Sequence, residues 1–370
     1  MSGWQASGER LLVTYAIEGP AEKAADWAAD IAVEQSVEFP PDLIEDASIR
    51  EQVIGRVEAI TALSPSLHQA RVSFAGEIAG GELTQLLNVL FGNTSLKPNI
   101  RLLDFELPAS LAASLGGPRF GIAGLRDYLG IPIRPLLLTA IKPMGLSPGA
   151  LAARAADFAR GKIDLVKDDH GLADQSFCRF ADRVEAVVQA IERANREVGT
   201  RCIYAPNVTA APLVARDRAR VAKQAGAGAL LYSPGLGGWD TLRMLADDDE
   251  LALPILCHPA LLANRGAFSH RVLYGRLPRL AGADATIFPS YGGRFSFTPD
   301  ECQDLCTGAR GPMADLRPVM PLPAGGITLA RVREQVAFYG PDTGLLVGGD
   351  LFRTGDLIGA CRRLRALVEA

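Results

Sequence analysis

Charged and polar side chains follow two apolar runs near the middle of the chain. One run ends in Lys142, and another ends in the tetrapeptide Lys167-Asp168-Asp169-His170. Alternate side chains of an extended segment share a face, so Lys167 and Asp169 can point to one side, with His170 added where the strand ends. Carboxylate and imidazole groups ligate metals, and a desolvated lysine can move protons. The pattern predicts a metal and acid–base site, although a snorkelling Lys142 and a solvated charged turn would show the same residues.

Two later strand ends carry further candidate groups. His258 follows the apolar run LPILC, where it could act as an acid, a base or a substrate contact, or be a core histidine bonded to a carbonyl. In PSYGGRF (289–295) two glycines precede Arg294. That spacing favours a mobile loop that brings a cation over a bound anion, with a plain flexible turn as the alternative.

Glycine pairs follow the last two apolar runs, Gly325-Gly326 and Gly348-Gly349. Without a Cβ atom, the backbone N–H groups of such a turn can approach a phosphate closely. One pair is a weak signal and fits a tight turn equally well. Two pairs at neighbouring strand ends predict a phosphate site.

These groups need a scaffold that brings strand ends together. Beyond residue 134, apolar strand candidates recur, with amphipathic helical stretches such as 180–198 and 329–340 between them. The eight strand candidates lie at 134–143, 163–169, 201–209, 228–234, 253–260, 284–290, 317–326 and 344–350. Eight strand–helix units predict a (β/α)8 TIM barrel, whose catalytic residues follow the strands at one face.

The first part of the chain has a different pattern. Strands are expected at 11–17, 69–76 and 100–108, with helices at 21–36 and 83–92. This mixture predicts a small α+β domain of ferredoxin-like type. The Gly/Pro-rich segment SLGGPRFG (114–121) indicates the boundary, so we expect an N-terminal domain at 1–120 and the catalytic barrel at 121–370.

Composition excludes several classes of protein. The 370 residues include 38 Lys and Arg and 42 Asp and Glu, a formal net charge of −4, which gives no reason to expect a nucleic-acid surface. No 18-residue stretch is free of charge and turn residues, so no membrane span is expected. The six cysteines form no CxxC pair and the N-terminus lacks a signal-peptide pattern, so a cytoplasmic location is the simplest expectation.

Together these motifs resemble the large subunit of ribulose-bisphosphate carboxylase/oxygenase (RuBisCO) over nearly the whole chain. The segment AIKP is similar to the family's catalytic lysine segment, and VKDDH to its metal-binding KDDE segment. The resemblance implies that Lys142 is the acid–base catalyst and that Lys167, as a CO2-derived carbamate, holds Mg²⁺ with Asp169 and His170. Because an imidazole replaces a carboxylate, Mn²⁺ or another divalent metal, or a role for His170 as a base, stays open.

The remaining motifs extend the resemblance. CHPALLANRG places His258 on the family's active-site histidine, and GGRF places Arg294 where the family's mobile loop has a lysine. LPAGGI and LLVGGD resemble the phosphate-binding turns. VEQS and LLNVLFGN resemble segments that complete the neighbouring subunit's site, which maps to Glu34 and Asn88. The resemblance therefore implies a homodimer with a shared active site.

Three departures from the RuBisCO pattern argue against CO2 fixation. Met144 replaces the family's second lysine, Pro259 replaces an arginine that holds a second phosphate, and TIFPSYGG lacks the family's histidine. These changes imply a substrate with one phosphate and an apolar or small group at its other end. Phe288, Pro289 and Tyr291 are candidates to contact that end.

Such departures are typical of the RuBisCO-like proteins (form IV). The resemblance implies proton abstraction α to the carbonyl of a phosphorylated ketose, through a metal-stabilised enediolate. It points most closely to the 5-methylthioribulose-1-phosphate isomerase of methionine salvage. A 2,3-diketo-5-methylthiopentyl-1-phosphate enolase, a decarboxylase of a phosphorylated oxo-sugar acid and a catalytically silent scaffold are the alternatives.

Overall fold

The computed structural model describes residues 5–262 and 266–369, which form two compact units. The first unit contains residues 5–117, and the described parts of two later segments, 266–273 and 312–316, belong to it as well. The second unit contains the rest of the described chain. Within the described residues, no helix is long and apolar enough to cross a membrane.

An antiparallel four-stranded sheet forms the first unit. Its strands are β1 (Arg10–Glu18), β2 (Arg56–Ser64), β3 (Leu67–Ala75) and β4 (Ile100–Glu106), in the spatial order β2-β3-β1-β4. Its α-helices are α1 (Ala21–Glu34), α2 (Ala47–Gln52), α3 (Leu83–Phe91) and α4 (Ala109–Leu115). With α1 after β1 and α3 before β4, this order confirms the ferredoxin-like α+β prediction. The sequence did not predict β2, an edge strand with every residue exposed, because it has no buried face.

Eight parallel strands form the second unit. They are β5 (Leu136–Ile141), β6 (Leu165–Asp168), β7 (Ile203–Ala205), β8 (Leu230–Tyr232), β9 (Ile255–Cys257), β10 (Ala285–Pro289), β11 (Met320–Ala324) and β12 (Gly344–Leu346). Their order runs β7-β6-β5-β12-β11-β10-β9-β8, and a parallel bridge between Asn207 and Leu231 joins the two ends. The predicted TIM barrel is therefore confirmed.

Helices alternate with these strands. They are α5 (Gly121–Leu129), α6 (Pro148–Arg160), α7 (Phe180–Val198), α8 (Pro212–Gln224), α9 (Pro234–Gly237), α10 (Trp239–Asp247), α11 (Leu277–Leu280), α12 (Pro299–Arg310), α13 (Val332–Tyr339) and α14 (Leu357–Glu369). A π-helix at Arg271–Arg276 precedes α11. Local sequence sets several helix starts: Ser147 caps α6, and Thr298 with Glu301 forms a capping box on α12.

The barrel interior is filled by side chains from alternate strand positions. Leu136 and Leu138 of β5 and Leu165 of β6 belong to this buried cluster, which also includes residues of α5. Because side chains alternate along a strand, the next inward positions are 140 and 142 on β5 and its extension, and 167 and 169 on β6 and its extension. The apolar pattern inside the barrel thus directs Lys142, Lys167 and Asp169 toward its mouth.

Candidate functional site

The first pair of barrel strands brings three of the predicted residues together. Ala140 pairs with Lys167 across β5 and β6, so the positions two residues further along, Lys142 and Asp169, are also neighbours. Lys142 Nζ lies 3.3 Å from Asp169 Oδ2. The Lys142 side chain is 43% exposed and that of Asp169 only 17%, so an ammonium open to solvent faces a mostly buried carboxylate.

Lys167 lies deeper in the same cluster. The residue is only 3% exposed, and its Nζ donates a hydrogen bond of 3.0 Å to the carbonyl of Asp168. Burial lowers the pKa of Lys167 to about 8; the charge of Lys142 adds to this shift, and Asp169 and Asp168 oppose it. About a tenth of the amine is then neutral at pH 7. The neutral amine is the form that reacts with CO2 to give a carbamate and release a proton.

Asp169 and His170 are the predicted metal ligands of the cluster. Burial acts to raise the pKa of Asp169, but the contact with His170 and the charges of Lys142 and Lys167 outweigh it and hold that pKa well below its usual range. His170 Nδ1 lies 2.9 Å from Asp169 Oδ1, yet this buried oxygen has no hydrogen bond of good geometry within the described residues. An unsatisfied carboxylate oxygen beside an imidazole nitrogen fits a cation.

A complete metal site needs one more ligand. Among the described residues, no group of three or more His, Cys, Asp and Glu side chains is arranged to hold a metal. An ammonium cannot ligate a cation, whereas a carbamate on Lys167 would add an oxygen ligand. The donor set therefore fits a divalent metal with Lys167 in the carbamylated form.

His258 lies against His170. The two rings stack with centroids 4.5 Å apart and an angle of 18°. Burial lowers the pKa of His258 to about 2, and the charges of Lys167 and His170 add to the shift, so the ring is neutral. Its Nδ1 accepts a hydrogen bond from the Ala260 N–H at 3.2 Å, which places the proton on Nε2. His258 can therefore donate a hydrogen bond from Nε2.

Asp168 is a residue of the cluster whose role the sequence analysis missed. It points away from the barrel interior and is fully buried, as is Arg183 of α7, whose Nη2 lies 3.1 Å from Asp168 Oδ2. The Tyr204 hydroxyl and the Asn207 N–H donate to the same carboxylate at 2.5 and 2.9 Å. Arg183 occupies a buried position of α7 where the helical pattern predicts an apolar residue. A charged residue at such a position indicates a buried partner, and this signal could have predicted the ion pair.

The glycine pairs occupy the ends of two adjacent strands. Ala324 of β11 pairs with Leu346 of β12, so Gly325-Gly326 and Gly348-Gly349 are neighbours. Gly325 and Gly326 have φ values of +73° and +76°, a region that favours glycine. Within the described chain, the N–H groups of all four glycines donate no hydrogen bond, and a Cβ on Gly348 or Gly349 would meet nothing within 4 Å. Open space beside unpaired amides suits an anion.

Arg294 lies near the first glycine pair. It is exposed, and its guanidinium stacks on the Phe295 ring at 4.7 Å. A Cβ on Gly325 would meet only the Phe295 ring, at 3.9 Å. A Cβ on Gly293 would lie 3.0 Å from the Gly325 carbonyl oxygen, so the loop that carries Arg294 packs on the glycine turn.

Two of the three residues expected to contact an apolar substrate end, Phe288 and Tyr291, pack against α13 instead. Phe288 is fully buried with its ring 6.0 Å from that of Tyr339, and Tyr291 packs on Phe338 of α13. Ala285 and Ile287 are the inward-facing residues of β10, so strand alternation directs Phe288 outward. Met144 is different: it is 47% exposed, and a Cβ on Gly171 would lie 2.5 Å from its terminal methyl. Met144 thus lies beside the predicted metal-ligand segment.

Glu34 and Asn88 belong to the first unit. Glu34 ends α1 and accepts a hydrogen bond of 3.0 Å from Asn93 Nδ2. Asn88 lies in α3, and its carbonyl accepts from Gln35 Nε2 at 2.7 Å. The buried Gln35 therefore brings the two predicted residues into one neighbourhood of that unit.

Comparisons with known proteins agree with this architecture. Residues 121–294 match the family model of the ribulose bisphosphate carboxylase large chain, catalytic domain. A 5-methylthioribulose-1-phosphate isomerase of Rhodospirillum rubrum is 40% identical over 94% of this chain and 93% of its own. A crystal structure of a Rubisco-like protein from Rhodopseudomonas palustris superimposes with a TM-score of 0.89 at 41% identity, covering 98% of both chains. Ribulose bisphosphate carboxylase-like protein 1 of Rhodopseudomonas palustris is 43% identical over 94% of each chain. With the barrel, the strand-end residues and this similarity along nearly the full length, the chain belongs to the RuBisCO-like protein family.

Proposed function

We propose that the protein is a 5-methylthioribulose-1-phosphate isomerase. One observation carries the proposal: a buried amine–carboxylate cluster and a set of unpaired glycine amides lie at the ends of strands of one barrel. Strand β12 pairs with β5, Leu346 against Leu138, so Gly348 and Lys142 follow adjacent strands. This arrangement suits a sugar with one phosphate and a carbonyl nearby. The Rhodospirillum rubrum relative of that name supports the choice of substrate.

The proposed reaction moves a proton and leaves the oxidation state of the substrate unchanged. Lys142 exchanges a proton with the carbon next to the carbonyl, so that an enediolate forms and is reprotonated at another carbon. Its ammonium form is held close to Asp169 at 3.3 Å, which keeps it at the cluster after it has taken the proton. His258 donates from Nε2 to a substrate oxygen. The glycine amides hold the phosphate, and Arg294 adds a positive charge beside it.

A divalent metal, Mg²⁺ or Mn²⁺, is part of the proposal. Held by Asp169, His170 and the carbamate of Lys167, it would stabilise negative charge on the enediolate oxygens. The test uses protein stripped with a chelator and then given each metal with ¹³C-bicarbonate. A carbamate signal in the ¹³C NMR spectrum that disappears in Lys167→Arg is expected. A signal retained in Lys167→Arg would contradict the assignment of that lysine.

The activity is tested with 5-methylthioribulose 1-phosphate in D2O, with metal and bicarbonate present. We expect deuterium incorporation together with an isomeric ketose phosphate in the NMR spectrum. Turnover of the 2,3-diketo compound without isomer would assign the enolase instead, and loss of CO2 from an oxo-sugar acid would assign a decarboxylase. Absence of exchange with every divalent metal would overturn the proposal, and absence of turnover of all three compounds would favour the silent scaffold.

We also propose a homodimer in which Glu34 and Asn88 of one subunit complete the active site of the other. The proposal rests on the resemblance of their segments to those of the carboxylase. Glu34→Gln and Lys167→Arg should each be inactive alone, whereas a mixture refolded or exchanged into mixed dimers should regain activity, because one site of each mixed dimer is intact. Mixed dimers without activity would contradict a shared site.

A further inference from the structure

Arg331 joins two loops that follow neighbouring barrel strands. It ends the 3₁₀ turn Leu329–Arg331 before α13. Its Nη1 donates to the Gly326 carbonyl at 3.2 Å and to the Tyr291 carbonyl at 3.3 Å. Gly326 belongs to the glycine turn after β11, and Tyr291 begins the loop that carries Arg294 after β10. One nitrogen atom thus connects the phosphate turn to the Arg294 loop.

Other contacts fix the direction of this guanidinium. Glu334 accepts from its Nε at 3.1 Å and from its Nη2 at 2.8 Å, a bidentate ion pair. The Tyr291 hydroxyl donates to the same carboxylate at 2.8 Å, and the Tyr291 ring lies 5.2 Å from the guanidinium carbon. These contacts hold the Arg331 side chain in one orientation. The Arg331–Glu334 pair contacts both the side chain and the backbone carbonyl of Tyr291.

The two loops also pack backbone against backbone. A Cβ on Gly326 would lie 2.5 Å from Gly293 Cα, and a Cβ on Gly292 would lie 2.6 Å from Arg331 Nη1. At their base, the Ser290 N–H donates to the Ala324 carbonyl at 2.8 Å. At Gly326 and Gly293 the backbones of the two loops are in direct contact, so the position of one loop constrains the position of the other.

Holding the two carbonyls also orients two N–H groups. In a trans peptide the N–H points opposite to the C=O, and Lys142–Pro143 is the cis peptide of the described chain. The N–H groups of Ile327 and Gly292 therefore point away from Arg331. Neither donates a hydrogen bond to any residue that the structure describes.

We propose that Arg331 is a positioning residue that couples phosphate binding at the glycine turn to the placement of the Arg294 loop. The inference rests on the proposed function, because it takes the glycine turn as the phosphate site. Arg331 itself touches no substrate. It holds the peptide groups of both loops in one arrangement, so that an anion bound to one loop meets the other loop already in position.

The experiment compares Arg331→Met with the control Arg333→Ala, at an exposed position in the first turn of α13. Binding of inorganic phosphate to the full-length protein is measured by calorimetry. The values of kcat and KM are measured with 5-methylthioribulose 1-phosphate as the substrate. We expect Arg331→Met to weaken phosphate binding and raise KM about tenfold with a smaller change in kcat and an unchanged melting temperature. Arg331→Lys, which retains the charge but not the forked donors, should recover only part of the affinity. Arg333→Ala should equal the wild type.

A double-variant cycle tests the coupling itself. If Arg331 acts through the Arg294 loop, Arg294→Ala should weaken phosphate binding less in the Arg331→Met background than in the wild type. Fully additive effects, or wild-type affinity in Arg331→Met, would overturn the inference. If Arg331→Met does not fold, Glu334→Gln, which leaves the guanidinium in place but weakens its support, should shift KM in the same direction. Wild-type protein that binds no phosphate would instead refute the proposed phosphate site.

Discussion

The barrel mouth has two contrasting halves. At the ends of β5, β6 and β9 the candidate chemistry lies in side chains, with Lys167 buried and Asp169 in contact with Lys142 and His170. At the ends of β11 and β12 it lies in the backbone, as unpaired glycine N–H groups beside open space. The first half can change charge, whereas the second can only present fixed dipoles. The difference suggests that proton transfer and anion binding are separated across the mouth, and variants can test each half.

Removing Lys142 should have the largest effect. We expect Lys142→Ala to slow deuterium exchange into the ketose phosphate by about 10²–10⁴-fold, because it removes the proposed acid–base group. Affinity for inorganic phosphate should stay close to that of the wild type, because the substitution does not alter the glycine turns after β11 and β12. Exchange is measured by NMR and phosphate affinity by calorimetry.

Two comparisons sharpen this prediction. Lys142→Arg keeps a charge beside Asp169 but stays protonated, so it should be nearly as slow as Lys142→Ala. Lys223→Ala, at an exposed position of α8, should behave as the wild type. Full exchange in Lys142→Ala would remove this lysine from the reaction.

Breaking the ion pair behind the cluster should destabilise the barrel. Arg183→Ala leaves the fully buried Asp168 without its cation, and we expect a loss of about 3–5 kcal/mol in the free energy of unfolding. Arg179→Ala is the matched control, because Arg179 pairs with Asp174 at the surface, with side chains 58% and 43% exposed, and should cost about 1 kcal/mol or less. Urea unfolding measures both, and equal losses would show that burial does not decide the effect.

The sequence predicted the positions of side chains on strands better than the contacts between loops. Strand ends and the two-residue alternation were sufficient to place Lys142, Lys167 and Asp169 on one side, because each depends only on its own strand. Phe288 was predicted to contact substrate without applying this alternation to β10. Its ring instead faces away from the barrel interior and packs on Tyr339 of α13. Arg331 lies seven residues after the end of β11 and donates hydrogen bonds to carbonyl groups of two loops. No sequence pattern encodes that contact, because it depends on where the loops meet.

Exchanging Met144 should change substrate preference. Its side chain lies over Gly171, next to the predicted metal-ligand segment, which makes it the candidate contact for the apolar substrate end. We expect Met144→Lys to reduce kcat/KM for 5-methylthioribulose 1-phosphate about tenfold relative to ribulose 1-phosphate, which has a hydroxyl in place of the methylthio group. Met144→Leu should keep the preference. The same ratio in all three proteins would place the apolar end elsewhere.

The smallest change adds a single methyl group to the glycine turns after β11 and β12. Gly349 has no positive φ, and a Cβ there would meet no atom within 4 Å, so Gly349→Ala should fold without strain. The methyl group would occupy open space beside unpaired N–H groups, and we expect inorganic phosphate to bind about tenfold more weakly, about 1.4 kcal/mol. Gly149→Ala in α6, which also adds a methyl in open space, should leave phosphate affinity unchanged.

The outcome of this substitution separates the two halves most directly. The Gly349 methyl does not alter any charged group, so the carbamate signal of Lys167 and the rate of exchange at saturating substrate should both be retained while KM rises. A fall in the exchange rate at saturation would mean that the glycine turn also positions the reacting carbon. Phosphate binding would then be part of the proton-transfer step, and the two halves of the mouth would work as one site.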